Sequence, residues 1–176
     1  ASPHTRNQYL VRSLIEEAIT SSQLEGASTT RQVAKEMIRT GRQPRDTSER
    51  MILNNYLTME RIAERKDEPL SPGMVLDIHR LVTEGSLEGP AAAGRLRRPD
   101  ERRVVGDDSG EVFHDPPAAE ELPWRLEAMC DFANGKTPDL FVHPAVRAMI
   151  LHFWLAYDHP FVDGNGRTAR ALSYWG

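Results

Sequence analysis

The chain has 176 residues, 39% apolar and 27% charged, with a net charge of −4. That length suits one domain with a single sizeable core, and the composition is that of a globular protein. The acidic balance excludes a broad footprint for nucleic acid or an anionic membrane. The single cysteine, Cys130, excludes an internal disulfide framework and fits a reducing cytosol, and no apolar run approaches a membrane span. The expectation is a cytoplasmic protein without a signal peptide, with neither nucleic acid nor membrane among its partners.

The chain starts Ala1-Ser2-Pro3 without Met, which fits processing, truncation or an expression remnant. Leu10, Val11, Leu14, Ile15 and Ala18 then mark one face of a first helix, ending near Gly26 as its C′ residue. Glu25 sits in the last turn of that helix, where its charge opposes the helix dipole and asks for a cation from elsewhere in the fold. Thr29 to Thr40 reads as a second, more polar helix, stopped by Gly41 and Pro44. Asp46 to Lys66 reads as a longer helix with Ile52, Tyr56, Met59 and Ala63 on one face. Ser71-Pro72 is a helix start, with an N-cap and a proline at the first position. That helix buries Met74, Val75, Ile78, Leu81 and Val82, with His79 near the same face as a core histidine rather than a ligand.

Gly85 to Pro99 reads as a loop. Arg95, Arg97, Arg98, Arg102 and Arg103 make a basic cluster, either a solvated face or a contact for an acidic target surface or outer phosphate. Arg103-Val104-Val105 and Glu111-Val112-Phe113 flank Gly106-Asp-Asp-Ser-Gly110 and read as a short hairpin. Leu122, Leu126, Met129 and Ala133 mark a helix with Pro123 in its first turn, and Cys130 within it is a small core residue. Pro144 opens the next helix, whose apolar residues surround most of the cylinder and predict a central, buried element.

That helix delivers His159-Pro-Phe-Val-Asp-Gly-Asn-Gly-Arg-Thr-Ala-Arg170, which concentrates the chemistry of the chain. The glycines allow positive φ and close approach of a ligand. A last helix opening near Arg167 would aim its unpaired N–H groups back at the loop, a seat for phosphate. Arg167 and Arg170 lie three apart on one helix face and can hold further oxygens. Asp163 is a hard oxygen ligand suited to Mg²⁺, and His159 can take a proton near neutral pH, with the dipole of the preceding helix favouring its protonated form.

This stretch resembles the signature of the Fic-domain family, H-P-F-x-[DE]-G-N-G-R-x-x-R, with all nine fixed positions present in twelve residues. The resemblance implies an all-α fold, a Fic-type helical bundle with a small β-hairpin flap beside the active site. The N-terminal helices fall in 1–44 and the core in 45–176, with the C-terminal part of the core missing. It also implies an AMP transferase using ATP and Mg²⁺ on a Ser, Thr or Tyr hydroxyl of a target protein, with self-modification and a homodimer both open. In that scheme His159 is the base and Asp163 the metal ligand. Gly164, Asn165, Gly166, Arg167 and Arg170 bind the nucleotide, and Phe161 anchors the loop. Ser21, Glu25 and Gly26 are similar to the [ST]-x-x-x-E-[GN] inhibitory motif of many Fic proteins, which implies that Glu25 pairs with Arg170 and blocks the γ-phosphate site. Gly94-Arg95 resembles the family's G-x-[FY]-R region, with Leu96 in place of the aromatic. The hairpin then corresponds to a flap that docks the target by strand addition. Asn55, Tyr56 and His152 correspond to structural support.

Two positions depart from the family pattern. Asp158 stands where an apolar residue is usual, and raising the His159 pKa, weakening phosphate binding and simply facing solvent are all open to it. Ala169 is harmless in a helix. Other functions stay open beside transfer: AMP removal, another phosphate-bearing donor, or a non-catalytic nucleotide-sensing module.

Overall fold

A computed structural model describes residues 3–107 and 109–175, with side chains from Val11 onward. Asp108 of the expected hairpin turn, Gly176 and the side chain of Leu10 lie outside the described residues. Within them run seven α-helices and one two-stranded antiparallel sheet.

Local capping chemistry sets most of the helix ends. Helix α1 (Pro3–Leu24) stops at Gly26, whose φ of 89° is left-handed. The Gly26 N–H donates to the Gln23 carbonyl at 3.1 Å and the Ala27 N–H to the Ser22 carbonyl at 3.0 Å. This paired closure satisfies two terminal carbonyls and leaves Glu25 projecting from the end of the helix. Helix α2 (Arg31–Thr40) is capped by Thr30 and closed at Gly41. Helix α3 (Thr47–Glu64) is capped by Asp46, which accepts from the Glu49 N–H at 2.8 Å. Ser71 caps α4 (Pro72–Thr83), as its Ser-Pro start predicts. These three N-terminal caps and the Gly41 stop all lie within a residue or two of their expected positions.

The helices enclose two apolar clusters. Ile15 and Ile19 of α1 pack with Ala34 and Met37 of α2 and Ile52 of α3. The larger cluster joins α4, α5 (Leu122–Ala133), α6 (Pro144–Asp158) and α7 (Asn165–Trp175) around Val75, Met129, Leu151, Phe161 and Leu172. Cys130 is buried there, and burial pushes its thiol up to about 12, so it packs as an inert core residue. Helix α1 lies against both α3 and α7, which brings the end of α1 to the start of α7.

Two expectations need correction. Helix α6 is not buried on all sides: Leu151 and Leu155 are enclosed, but Met149 is 63% exposed and Phe153 67%. One apolar stripe faces outward because only α5 and α7 pack on this helix to any extent. The hairpin strands are β1 (Val105–Gly106) and β2 (Val112–His114), later and shorter than expected, which leaves Arg103, Val104 and Glu111 outside the ladder. The strands cross so closely at Gly106 that a Cβ there would lie 2.3 Å from the Glu111 carbonyl oxygen.

The two faces of α6 make opposite predictions. Leu151→Ala should cost about 2–5 kcal/mol in urea unfolding. Met149→Ala should stay within about 0.5 kcal/mol. Equal losses would contradict this orientation of the helix.

Candidate active site

Six residues reverse the chain from α6 to α7, and each of their carbonyls has its own donor. His159 ends α6 in the left-handed conformation, φ 44° and ψ 55°, with its N–H on the Leu155 carbonyl at 2.9 Å. Arg97 Nε donates to the His159 carbonyl at 2.9 Å and the Arg97 N–H to that of Pro160 at 2.8 Å. Asn165 Nδ2 serves Phe161 at 2.8 Å, and Arg103 Nε serves Val162 at 3.0 Å. His79 Nε2 serves Asp163 at 2.9 Å, and the Thr168 N–H and hydroxyl serve Gly164 at 3.0 and 2.8 Å. The loop is thereby pinned, carbonyls inward.

The amides of α7 are oriented the other way. The helix opens at Asn165, two residues before the expected Arg167, because Gly164 takes φ 81° and turns the chain into it. Asn165 is buried with its side chain spent on the Phe161 N–H (2.9 Å) and carbonyl, so it can offer a ligand only its backbone. The carboxylate of Glu25 sits over this helix start. A Cβ on Gly166 would lie 2.3 Å from Glu25 Oε1, so only glycine admits the carboxylate there. Arg170 holds the same carboxylate through Nη2, and it also donates to the Ser21 hydroxyl (2.7 Å) and carbonyl (3.2 Å). Ser22 in turn accepts from Asn55 Nδ2 at 2.8 Å, tying the end of α1 to α3. Glu25 thus lies beside the first turn of α7 and against a guanidinium, a placement that suits an anion.

The other arginine of the stretch behaves differently. Arg167 is 3% exposed and donates to the Val82 carbonyl (3.1 Å) and the Ser86 hydroxyl (3.0 Å), so it does not share the outward face of Arg170. Its Nε is buried without a partner and its Nη2 lies 3.6 Å from Asp163 Oδ2. Asp163 itself is 59% exposed, with Oδ1 accepting from the Gly164 N–H at 2.5 Å. A carboxylate so placed is suited to a hard cation. Among the described residues no group of three or more His, Cys, Asp or Glu gathers as a metal site.

Burial lowers the His159 pKa, with the charges of Arg97, His114 and Arg103 adding to it and a hydrogen bond to the Ala156 backbone opposing it. Desolvation therefore outweighs the Ala156 hydrogen bond and favours the neutral imidazole. Asp158 does not act on it: Asp158 is 4% exposed, turned to Arg125 Nε at 2.8 Å, and burial raises its pKa against that pairing. His152 is half-buried, with its pKa lowered by burial and then by Arg170. His79 is a core histidine as expected, but it also braces the site. Its Nδ1 accepts from the Gly94 N–H at 2.9 Å, so Nε2 must carry the proton given to Asp163. Its ring stacks on Phe161 at 3.7 Å, and Phe161 is fully buried, as its anchoring role requires.

The basic cluster does not act as a unit. Arg95 forks onto Glu101 at 2.6 and 2.7 Å, Arg97 is buried, Arg98 is exposed, Arg102 pairs with Asp115 at 2.5 Å, and Arg103 reaches the loop. In the hairpin, Val104, Val112 and Phe113 are exposed, and His114 Nε2 donates to the Tyr157 carbonyl at 2.6 Å. His114 carries no local signal that marks it, and the basic cluster that holds Arg97 and Arg103 does not reveal their contacts, because the partners lie far along the chain.

A helical bundle whose α6–α7 turn carries His159, Asp163 and Arg170, with the Glu25 carboxylate beside the first turn of α7, defines the class. Residues 69–175 match the Fic/DOC family, and the chain belongs to it. It is 38% identical over 111 residues to the protein adenylyltransferase Fic of Nematostella vectensis, covering 61% of this chain and 23% of that protein. It is 34% identical over 117 residues to protein adenylyltransferase fic-1 of Caenorhabditis elegans, covering 66% and 21%. The chain thus spans under a quarter of these relatives. A Fic domain containing signaling protein from Bacteroides thetaiotaomicron shares the fold at a TM-score of 0.84 and 22% identity, over 98% of this chain and 65% of that one. A Fic family protein from Desulfovibrio desulfuricans shares it at 0.71 and 24%, over 95% and 48%. No helix among the described residues is long and apolar enough to cross a membrane.

The neutral state of His79 predicts a pH dependence of stability. Burial lowers its pKa from 6.5 to about 4, so the unfolded chain binds this proton more tightly. The contribution is fully present above pH 6.5 and is lost as pH falls through the window down to 4, on the order of 3 kcal/mol in all. Urea titrations across that window should show a shallower pH slope for His79→Gln than for wild type. Identical slopes would contradict the neutral assignment.

Proposed function

We propose that this chain carries a protein adenylyltransferase site that moves AMP from ATP to a Ser, Thr or Tyr hydroxyl of a target protein and is held inactive by Glu25. The observation that carries the reading is the Glu25 carboxylate lodged at the start of α7 against Arg170, across one loop from a neutral His159. An internal anion held there marks a seat that a phosphate would take. The names of the Nematostella and Caenorhabditis relatives support the reaction class.

In this scheme His159 accepts the proton of the target hydroxyl. The freed oxygen attacks the α-phosphorus in line, a new P–O bond forms, and the bond to the β-phosphate breaks to release pyrophosphate. The amides of Asn165 and Gly166 face the developing phosphoryl charge, and Arg170 grips the γ-phosphate once Glu25 leaves. Asp163 fits a Mg²⁺ ion, since Mg²⁺ takes one or two carboxylates and fills its remaining positions with phosphate oxygens and water. When bound, that ion would neutralise phosphate charge. Arg167, fixed under the loop, supplies positive potential with little loss of entropy on binding. The exposed edge around Val104, Val112 and Phe113 suits addition of a target strand.

Wild type, Glu25→Gly and Glu25→Gly/His159→Ala, incubated with Mg²⁺ and ATP labelled at the α-phosphate, test this directly. Glu25→Gly should label protein well above wild type. His159→Ala should lower that rate by roughly 10²–10⁴. Absence of label from every variant, with ATP binding intact, would overturn the transferase reading in favour of AMP removal, another donor or a sensing module.

A further inference from the structure

Arg97 is the least expected charge in the molecule. It is 5% exposed, yet it forms no ion pair among the described residues. Burial lowers its pKa, and neighbouring Arg103 lowers it further. Asp115, Asp158 and Glu120 offset part of that cost through space but none of them bonds to it, and a buried guanidinium bonded only to neutral acceptors is a poor choice for stability alone. All the acceptors found for it are backbone carbonyls. Nε donates to His159 at 2.9 Å, Nη2 donates to Pro117, and its own N–H donates to Pro160 at 2.8 Å. Pro117 follows β2 and Arg97 precedes β1, so one side chain joins both roots of the hairpin to the residue proposed as the base.

The rest of the hairpin strengthens that link. Arg103 reaches the Val162 carbonyl at 3.0 Å and His114 reaches that of Tyr157 at 2.6 Å. Four carbonyls around His159, at Tyr157, His159, Pro160 and Val162, are therefore held from the hairpin side. His159 itself has a positive φ of 44°, a conformation a non-glycine residue keeps only when its surroundings enforce it.

We propose that Arg97 is a positioning residue: it fixes the backbone of His159 in its left-handed conformation and couples the base to the hairpin, without touching the nucleotide. The catalytic half of this inference rests on the transferase reading above. The geometric half does not, and the test separates them.

Arg97→Gln and Arg97→Lys would be made in the Glu25→Gly chain, with Arg98→Gln as an exposed neighbour. The backbone and Cβ resonances of His159, which report its φ, would be followed by NMR without nucleotide. Asn165 and Gly166 would report the phosphate-seating end. ATP affinity by calorimetry, kcat and KM for labelling, and the thermal midpoint would accompany them. The expected result is a shift or broadening of His159 in both Arg97 variants, with Asn165 and Gly166 unmoved and ATP affinity within about twofold. The kcat should fall about tenfold to a hundredfold, the effect of a small misplacement of a reacting group. Lysine, which keeps the charge but cannot span both carbonyls, should not restore it. Arg98→Gln should change nothing. Unchanged His159 resonances, equal movement of Asn165 and Gly166, or parallel loss of ATP affinity and kcat would overturn the proposal. Should Arg97→Gln fail to fold, Arg97→Lys carries the same comparison. A Glu25→Gly parent that never labels protein refutes the transferase reading, and the NMR result still decides the role of Arg97.

Discussion

The fold turns on one geometric constraint: α6 must reverse into α7 within six residues, in the middle of the larger core. Such a turn brings the carbonyl end of one helix beside the amide end of the next. The structure resolves the two ends oppositely. Every carbonyl from His159 to Gly164 is bonded within the protein, to side chains of Arg97, Asn165, Arg103 and His79 or to groups of Arg97 and Thr168. The start of α7 instead meets the carboxylate of Glu25. The amides of His159, Phe161 and Gly164 are bonded within the protein as well, so the loop is fixed before any charge arrives and nothing in it need reorient.

Positive charge is divided in the same spirit. Arg167 and Arg97 are buried and committed to carbonyls, so their positions do not depend on a ligand. Arg170 is the exchangeable member, shared among Ser21, Glu25 and, in the proposed reaction, the terminal phosphate. Exchange is feasible because Glu25 stands just past the capped end of α1 with its side chain 31% exposed, while Ser21 and Ser22 behind it are buried. The helix can stay docked while its last carboxylate moves.

What the sequence made legible was local. Ser71-Pro72, Asp46 and Gly41 mark helix ends by chemistry acting within a few residues, and the Phe161 anchor and the histidine-to-arginine stretch stand together in one segment. The remainder depended on partners that no window contains. Arg97 meets His159 across 62 residues and Arg103 meets Val162 across 59, so five similar arginines could not be sorted by their spacing. The outward stripe of α6 was hidden for a related reason: apolar residues all round a helix do not reveal which neighbours are there to cover them. The contact between Glu25 and Arg170 spans 145 residues: the helix dipole asked for a cation near Glu25, and only resemblance to a known motif named Arg170. Asp158 and the start of α7 were misjudged because burial and a positive φ at Gly164 are tertiary outcomes.

The central claim is that Glu25 and the terminal phosphate of the nucleotide compete for Arg170 and the start of α7. It is tested most directly by calorimetric affinities for ATP, ADP and AMP in the presence of Mg²⁺, for wild type and for Glu25→Gly. The account predicts that wild type scarcely distinguishes ATP from ADP, and that Glu25→Gly gains about tenfold or more for ATP alone, with AMP unchanged. A gain shared equally by all three nucleotides, or no gain for ATP, would contradict it.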